Sequence, residues 1–254
     1  MTRSRAIVTI VRNESVFLPI WLRYYGQFFG PDDTYVFDHG STDGSTEGGG
    51  FVRELVDHPT VDHNWMRKTI QAKQHELIER YDVVLVTDVD EIVAPNPDKY
   101  GTLGDFIDTF GEDFLNCRGY EVLHQHETEP PIDLDQPILQ QRSTWFENVA
   151  YSKPILSRVP MIWFDGFHAR QDGQANFAHD LRLIHLHRFD YDLCRDRHRF
   201  RSGVDWSEKD VDRNYGYQNR ITSEESFERW FYEDSCTHLP IAAEPIPVAW
   251  RSVV

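Results

Sequence analysis

The run Asp82-Val83-Val84-Leu85-Val86-Thr87 leads without a break into Asp88-Val89-Asp90-Glu91, and no other feature limits the possible folds as strongly. A short, β-branched apolar run of this kind forms a strand buried on both faces. Such strands belong to sheets covered by helices, and ligands on those sheets bind at the carboxyl ends of the strands. Three acids therefore stand where a ligand is expected. The rest of the first half repeats the pattern. AIVTIV at 6–11 and TYVF at 34–37 read as further strands. FLPIWLRYYGQFFG, closed by Gly30, reads as a helix, as does RKTIQAKQHELIER with Asn64 as its cap. A short helix is expected over 51–57 and a short strand at Val61. Strands alternating with helices predict βαβ units and a mainly parallel sheet.

The second half is less regular. Residues 127–143, rich in Pro, Asp and Gln, read as a long loop. Strands are expected at 154–159, 161–164 and 181–187, and a helix over about 190–200. Another helix should open at Thr222 with a capping box to Glu225.

The chain has 254 residues, enough for one large α/β domain or two small ones. A formal charge of −16 excludes a general grip on nucleic acid, which needs a basic face. An acidic protein binds a phosphorylated ligand through a metal ion or a few placed Arg and Lys residues. Cys117, Cys194 and Cys236 are too far apart for a CxxC zinc site and make no disulfide framework, which points to a reducing compartment. No stretch approaches the roughly 20 apolar residues of a membrane span. The expectation is a soluble, cytoplasmic protein, with at most peripheral membrane contact.

Asp88 and Asp90 are spaced so that both reach one hard cation, Mn or Mg, which in turn bridges a diphosphate. A solvated acidic turn is the bland alternative; the buried strand ahead of the pair and Glu91 behind it argue against that. An EF-hand is excluded because Val93 stands where its loop needs Gly. Two adjacent carboxylates should also repel, so that Asp90→Ala would relieve strain in the metal-free protein. Asp38 and Asp43 bracket a Gly/Ser/Thr turn that includes Ser41. They suit ribose or base recognition, or plain turn chemistry. Arg12, Asn13 and Glu14 suit either nucleoside contact or helix capping. In LRLIHLH, His185 and His187 share a strand face, and either imidazole is a candidate metal ligand. Lys68, Lys73, Lys153 and Arg188 are candidate diphosphate contacts. Trp145, Trp163 and Trp206 are core residues or sugar-stacking platforms.

In order and spacing these clusters resemble the family 2-like glycosyltransferases of the GT-A fold. The resemblance rests on Asn13-Glu14, Leu18, Trp21-Leu22 and Tyr24, then Asp38, Ser41, Thr42 and Asp43, then Asp88, Asp90 and Glu91. Lys153-Pro154 and His187 complete it, over roughly residues 5–200. It implies one Rossmann-like α/β domain over 1–254, with a mixed, mainly parallel sheet flanked by helices. Residues 5–125 would bind the nucleotide sugar, and 126–254 would form an irregular acceptor region. The implied donor is UDP- or GDP-linked, the implied acceptor carries a hydroxyl, and the implied cofactor is a divalent metal. Asn13, Glu14 and Asp38 would line the nucleoside pocket. Asp88 and Asp90 would meet ribose and metal, with His187 completing the metal site. The chain departs from the family in lacking a Gly-x-Glu-Asp motif, so the family's catalytic base does not transfer. Asp165 and Asp180 are candidates for that role, with Glu91 an alternative acceptor contact. HLHR in place of HY leaves His185 and His187 open. A nucleotidyltransferase or phosphohydrolase is a weaker fit, because neither a Walker loop nor a Gly-rich basic N-terminal loop is present. An inactive carbohydrate-binding module is weaker still, given the intact acids.

Overall fold

The structure is a computed structural model that describes residues 2–237 and 239–254. Its first half is built around four parallel strands. These are β1 (Arg5–Val11), β2 (Thr34–Asp38), β3 (Val52–Leu55) and β4 (Val83–Val86), arranged in the order β4-β1-β2-β3. Helix α1 (Phe17–Tyr25) follows β1, and α2 (His63–Ile78) precedes β4. Every residue of β1, β2 and β4 is buried, as their unbroken apolar runs require. In α1 the buried residues Phe17, Leu18, Ile20, Trp21, Tyr24 and Tyr25 form one face at helical spacing.

The second half extends the same sheet in mixed fashion. It contributes β5 (Glu91–Pro95), α3 (Leu103–Thr109), β6 (Phe114–Leu123), β7 (Thr144–Glu147), β8 (Pro154–Ser157) and β9 (Phe177–His185). Strand β8 lies antiparallel to both β4 and β6 and so joins the halves. Strand β9 runs parallel to β6 and antiparallel to β5, which brings His185 opposite Glu91 and Glu121. Helices α4 (Tyr191–Ser202), α5 (Glu208–Asp212) and α6 (Glu224–Glu233) follow, and β10 (Glu244–Pro245) pairs with β7 at the edge. The expected mixed α/β architecture, a sheet flanked by helices, is what the chain adopts. Its parallel part is the β4-β1-β2-β3 block.

Several local expectations are corrected. Residues 52–55 form β3 rather than a helix, because the open edge of β2 offers Val52–Leu55 a parallel partner. The expected strand at 161–164 shrinks to a single bridge between Trp163 and Arg170, and Val61 makes only a bridge to Trp206. Asp62, not Asn64, caps α2, its carboxylate accepting the Trp65 N–H at 2.9 Å. Ser223, not Thr222, caps α6 in the same way. The sequence pattern marks no strand at β5, β6, β7 or β10. No helix among the described residues is long and apolar enough to cross a membrane.

Candidate active site

A cleft of about 360 Å³ opens at the carboxyl ends of β1 and β4. Arg12, Glu14, Asp88, Asp90, Lys153, His185 and His187 line it, together with residues of α4 and of the segment 204–219. The acidic turn after β4 is held from behind by α1. Trp21 donates its indole N–H to Thr87 Oγ1 at 2.8 Å, and the Tyr25 hydroxyl donates to the Glu91 carbonyl at 3.0 Å. The Tyr24 hydroxyl donates to the Val93 carbonyl at 2.9 Å. The aromatic positions of α1 thus fix the backbone that carries the acids.

Each acid meets a cation from the far half of the chain. The Lys153 ammonium is buried between Asp88 Oδ2 at 2.7 Å and Glu91 Oε1 at 2.6 Å. Glu91 also accepts the Asp88 backbone N–H at 2.9 Å. Burial drives the Glu91 carboxyl up to about 7 against the pull of Lys153. Asp88 is the more open of the two. Burial raises its carboxyl as well, but Lys153 outweighs that and holds it below the usual value.

Asp90 is almost fully buried and is gripped by the Arg197 guanidinium, which also reaches Glu14 Oε1 at 2.8 Å. Arg201 adds a second contact to Glu14 at 2.9 Å. Burial opposes the Asp90 charge, yet Arg197 and His185 hold its carboxyl well below the usual range. His185 lies between Glu121, at 2.7 Å, and Asp90, at 3.5 Å. Burial alone would lower its pKa, but the two carboxylates raise it to about 10, so the imidazole carries a proton. His187 differs: burial and the neighbouring His198, 2.9 Å away, keep it neutral. The ligand atoms of Asp90, His185 and His187 lie within 4.8 Å of one another.

The group formed by Asp90, His185 and His187 fits a divalent cation, and Asp88 lines the same cleft. The proton on His185 sits between the Glu121 and Asp90 carboxylates, and a cation bound in this group would compete with it for the ring nitrogen. The expected repulsion between the acids is corrected too, because Arg197, Lys153 and His185 already compensate them.

Other candidates fall elsewhere. The Asn13 backbone is left-handed, at φ 54°, and its Oδ1 accepts the Thr42 N–H at 2.6 Å. Ser41 Oγ accepts the Asn13 N–H at 3.0 Å, and Asp43 accepts the Ser15 N–H at 3.1 Å. These residues staple the β1 and β2 loops together at the cleft rim. Asp38 does not line the cleft. It is 1% exposed, and its carboxylate is taken up by Arg53, Thr46 and the Ser41 N–H. Lys68 is exposed on α2, and Lys73 pairs with Glu54 at 2.7 Å over the Tyr35 ring; neither faces the cleft. Arg188 is buried and donates to the carbonyls of Trp230, Phe231 and Asp234, which pins α6.

Asp180 pairs with Lys99 at 2.8 Å outside the cleft. Asp165 is tied to Arg67 and Lys209, each at 2.9 Å. Burial is outweighed there by those cations, which bring its pKa to about 2, and its carboxylate is spent on them outside the cleft lining. Trp145 and Trp163 are core residues, and Trp206 lines the cleft. Sequence reasoning missed Glu121, Arg197 and Arg201. Glu121 left one sign of itself, a lone acid among the apolar residues Tyr120, Val122 and Leu123 of β6.

No family model matches the chain, and no curated protein sequence matches it. Among solved structures, it aligns with a mannosyltransferase from Pyrobaculum calidifontis, determined in complex with GDP-Man and Mn2+, at 13% identity and a TM-score of 0.41. The alignment covers 80% of this chain but only 62% of the mannosyltransferase. The galactosyltransferase LgtC, in complex with donor and acceptor sugar analogs, aligns at 15% identity and a TM-score of 0.27, over 98% of this chain and 100% of LgtC. These likenesses are distant, and the chemistry must be read from the cleft itself.

Proposed function

We propose that the chain transfers a sugar from a UDP- or GDP-linked donor to a hydroxyl acceptor at this cleft, with Mn or Mg as cofactor. One observation carries the reading: Asp90, His185 and His187 bring their ligand atoms within 4.8 Å of one another in the cleft that Asp88 and Arg12 also line. Asp90, His185 and His187 would hold the ion. When bound there, the ion neutralises charge growing on the departing diphosphate. Arg12 lines the cleft with no ion-pair partner among the described residues and suits a donor phosphate. Lys153 holds Asp88 in place through the shared contact with Glu91. Arg197 and Arg201 orient Glu14 toward the nucleoside end. The Trp206 ring offers a flat apolar wall for a base or sugar face.

Incubating the protein with UDP- and GDP-sugars, with and without Mn²⁺ or Mg²⁺, tests the reading. The expected result is metal-dependent release of the nucleoside diphosphate from one donor class. At 100 times Kd that donor should stabilise the fold by about 2.7 kcal/mol. Release of pyrophosphate or inorganic phosphate would assign a nucleotidyltransferase or phosphohydrolase. Turnover without metal would remove the cation from the proposal.

A further inference from the structure

Adjoining the cleft at His168 is a second, open pocket of about 540 Å³, lined in part by Arg118, Glu147, Gln174, Phe177 and His179. Residues 149–153 run between the two. Ala150 and Lys153 face the cleft, whereas Val149 and Ser152, on the same segment, face the cavity. Among the described residues only His168 lines both. Its position is built with care. Gly166 and Phe167 both have left-handed backbones, at φ 81° and 62°, a conformation that is costly for a bulky residue such as Phe. The buried Phe167 ring packs edge-on against Trp163 at 5.5 Å and holds the turn. His168 Nδ1 bonds to the Ala150 carbonyl. A carbonyl only accepts, so Nδ1 carries the hydrogen, and in the neutral ring Nε2 keeps its lone pair.

We infer that the second cavity binds the acceptor, that this acceptor is a saccharide of at least two rings, and that His168 receives the proton of its reacting hydroxyl. The inference rests on the transferase reading above. The cavity's size falls in the ordinary range for a small-molecule site. Its walls suit a polyhydroxylated ligand. Phe177 is 52% exposed and offers a flat face for a sugar ring. The Arg118–Glu147 pair, closed at 2.7 Å, and the amide of Gln174 offer donors and acceptors for hydroxyls. The step balances. The acceptor O–H proton passes to His168 Nε2, and the acceptor oxygen bonds to the anomeric carbon. The bond from that carbon to the diphosphate oxygen breaks, and its electron pair leaves with the nucleoside diphosphate.

Two measurements on the intact chain test this. The first is ligand-observed saturation-transfer NMR with cellobiose, lactose and α-1,6-mannobiose, run on wild type, Phe177→Ala and His179→Ala. At least one disaccharide should receive saturation from wild type, more than its methyl monosaccharide does, and lose it in Phe177→Ala at an unchanged Tm. If no disaccharide binds, or if both variants bind as wild type does, the cavity is not the acceptor site. The second measurement uses His168→Ala, which should slow sugar release about 10²–10⁴-fold, the usual worth of a general base. The Tm shift produced by the donor should remain. A release rate within threefold of wild type overturns the role of His168. Absence of any donor turnover in wild type is a different result, because it removes the transferase reading itself.

Discussion

The turns after β2 and β4 look alike in sequence, each an acidic cluster at the end of a buried parallel strand, yet the structure completes them in opposite ways. Asp38 is satisfied by its neighbours: Ser41, Thr46 and Arg53 all lie within 15 positions of it. Its carboxylate is spent on the loop. The acids after β4 are satisfied from far away. Lys153 reaches Asp88 across 65 positions, and Arg197 reaches Asp90 across 107. A carboxylate closed by local partners shapes a scaffold. One held open by remote cations can exchange them for a ligand.

Mutations at the two turns separate these roles. The largest effect is expected at Asp90. Asp90→Ala leaves Arg197 and His185 buried without their shared anion, which should cost about 3–5 kcal/mol in urea unfolding. The double variant Asp90→Ala, Arg197→Met should recover part of that loss. A single variant as stable as wild type would show that the Asp90 contacts are not a buried ion pair.

Asp38→Asn should cost less, about 1–3 kcal/mol, for the unsatisfied groups it leaves. Burial raises the Asp38 carboxyl, but its hydrogen bonds and Arg53 hold it below its usual value. The stability this provides is therefore present above the unfolded value, about 3.9, and is lost as pH falls toward the folded one. The variant should show a shallower loss of stability on acidification. A raised donor KM with no change in Tm would instead place Asp38 in the nucleoside site.

The smallest effect is expected at Glu47, the outer partner of Arg53, whose side chain is 71% exposed. Glu47→Ala should change stability by no more than about 0.5 kcal/mol, as exposed ion pairs commonly do. A larger loss would mean that Arg53 needs both carboxylates to hold the turn.

The same contrast marks how far the sequence could be read. Strands β1, β2 and β4, helix α1 and the acids themselves follow from hydrophobic period and turn chemistry, which are local signals. The partners of those acids follow from no local signal. Arg197 occupies one helical turn among several arginines, and only its tertiary contacts with Glu14 and Asp90 distinguish it from Arg195 or Arg199. Strand β6 escaped notice because Asn116, Arg118 and Glu121 interrupt its apolar run, and tertiary pairing on both sides overrides that interruption. Strand β3 was misread for a related reason: four residues carry too little period to resist the edge they join.

The pairing of Glu14 with Arg197 spans 183 positions. A ribosome releases the acids after β4 long before it releases α4. At about 5–20 residues per second, the stretch from Asp90 to Arg197 takes roughly 5–20 s to synthesise. During that interval the parallel block can assemble, but the acids at its tip have only water and mobile ions as company. The cleft is therefore among the last parts of the molecule to acquire its charge balance, and a nascent chain halted before α4 would carry the parallel strands with their terminal acids uncompensated.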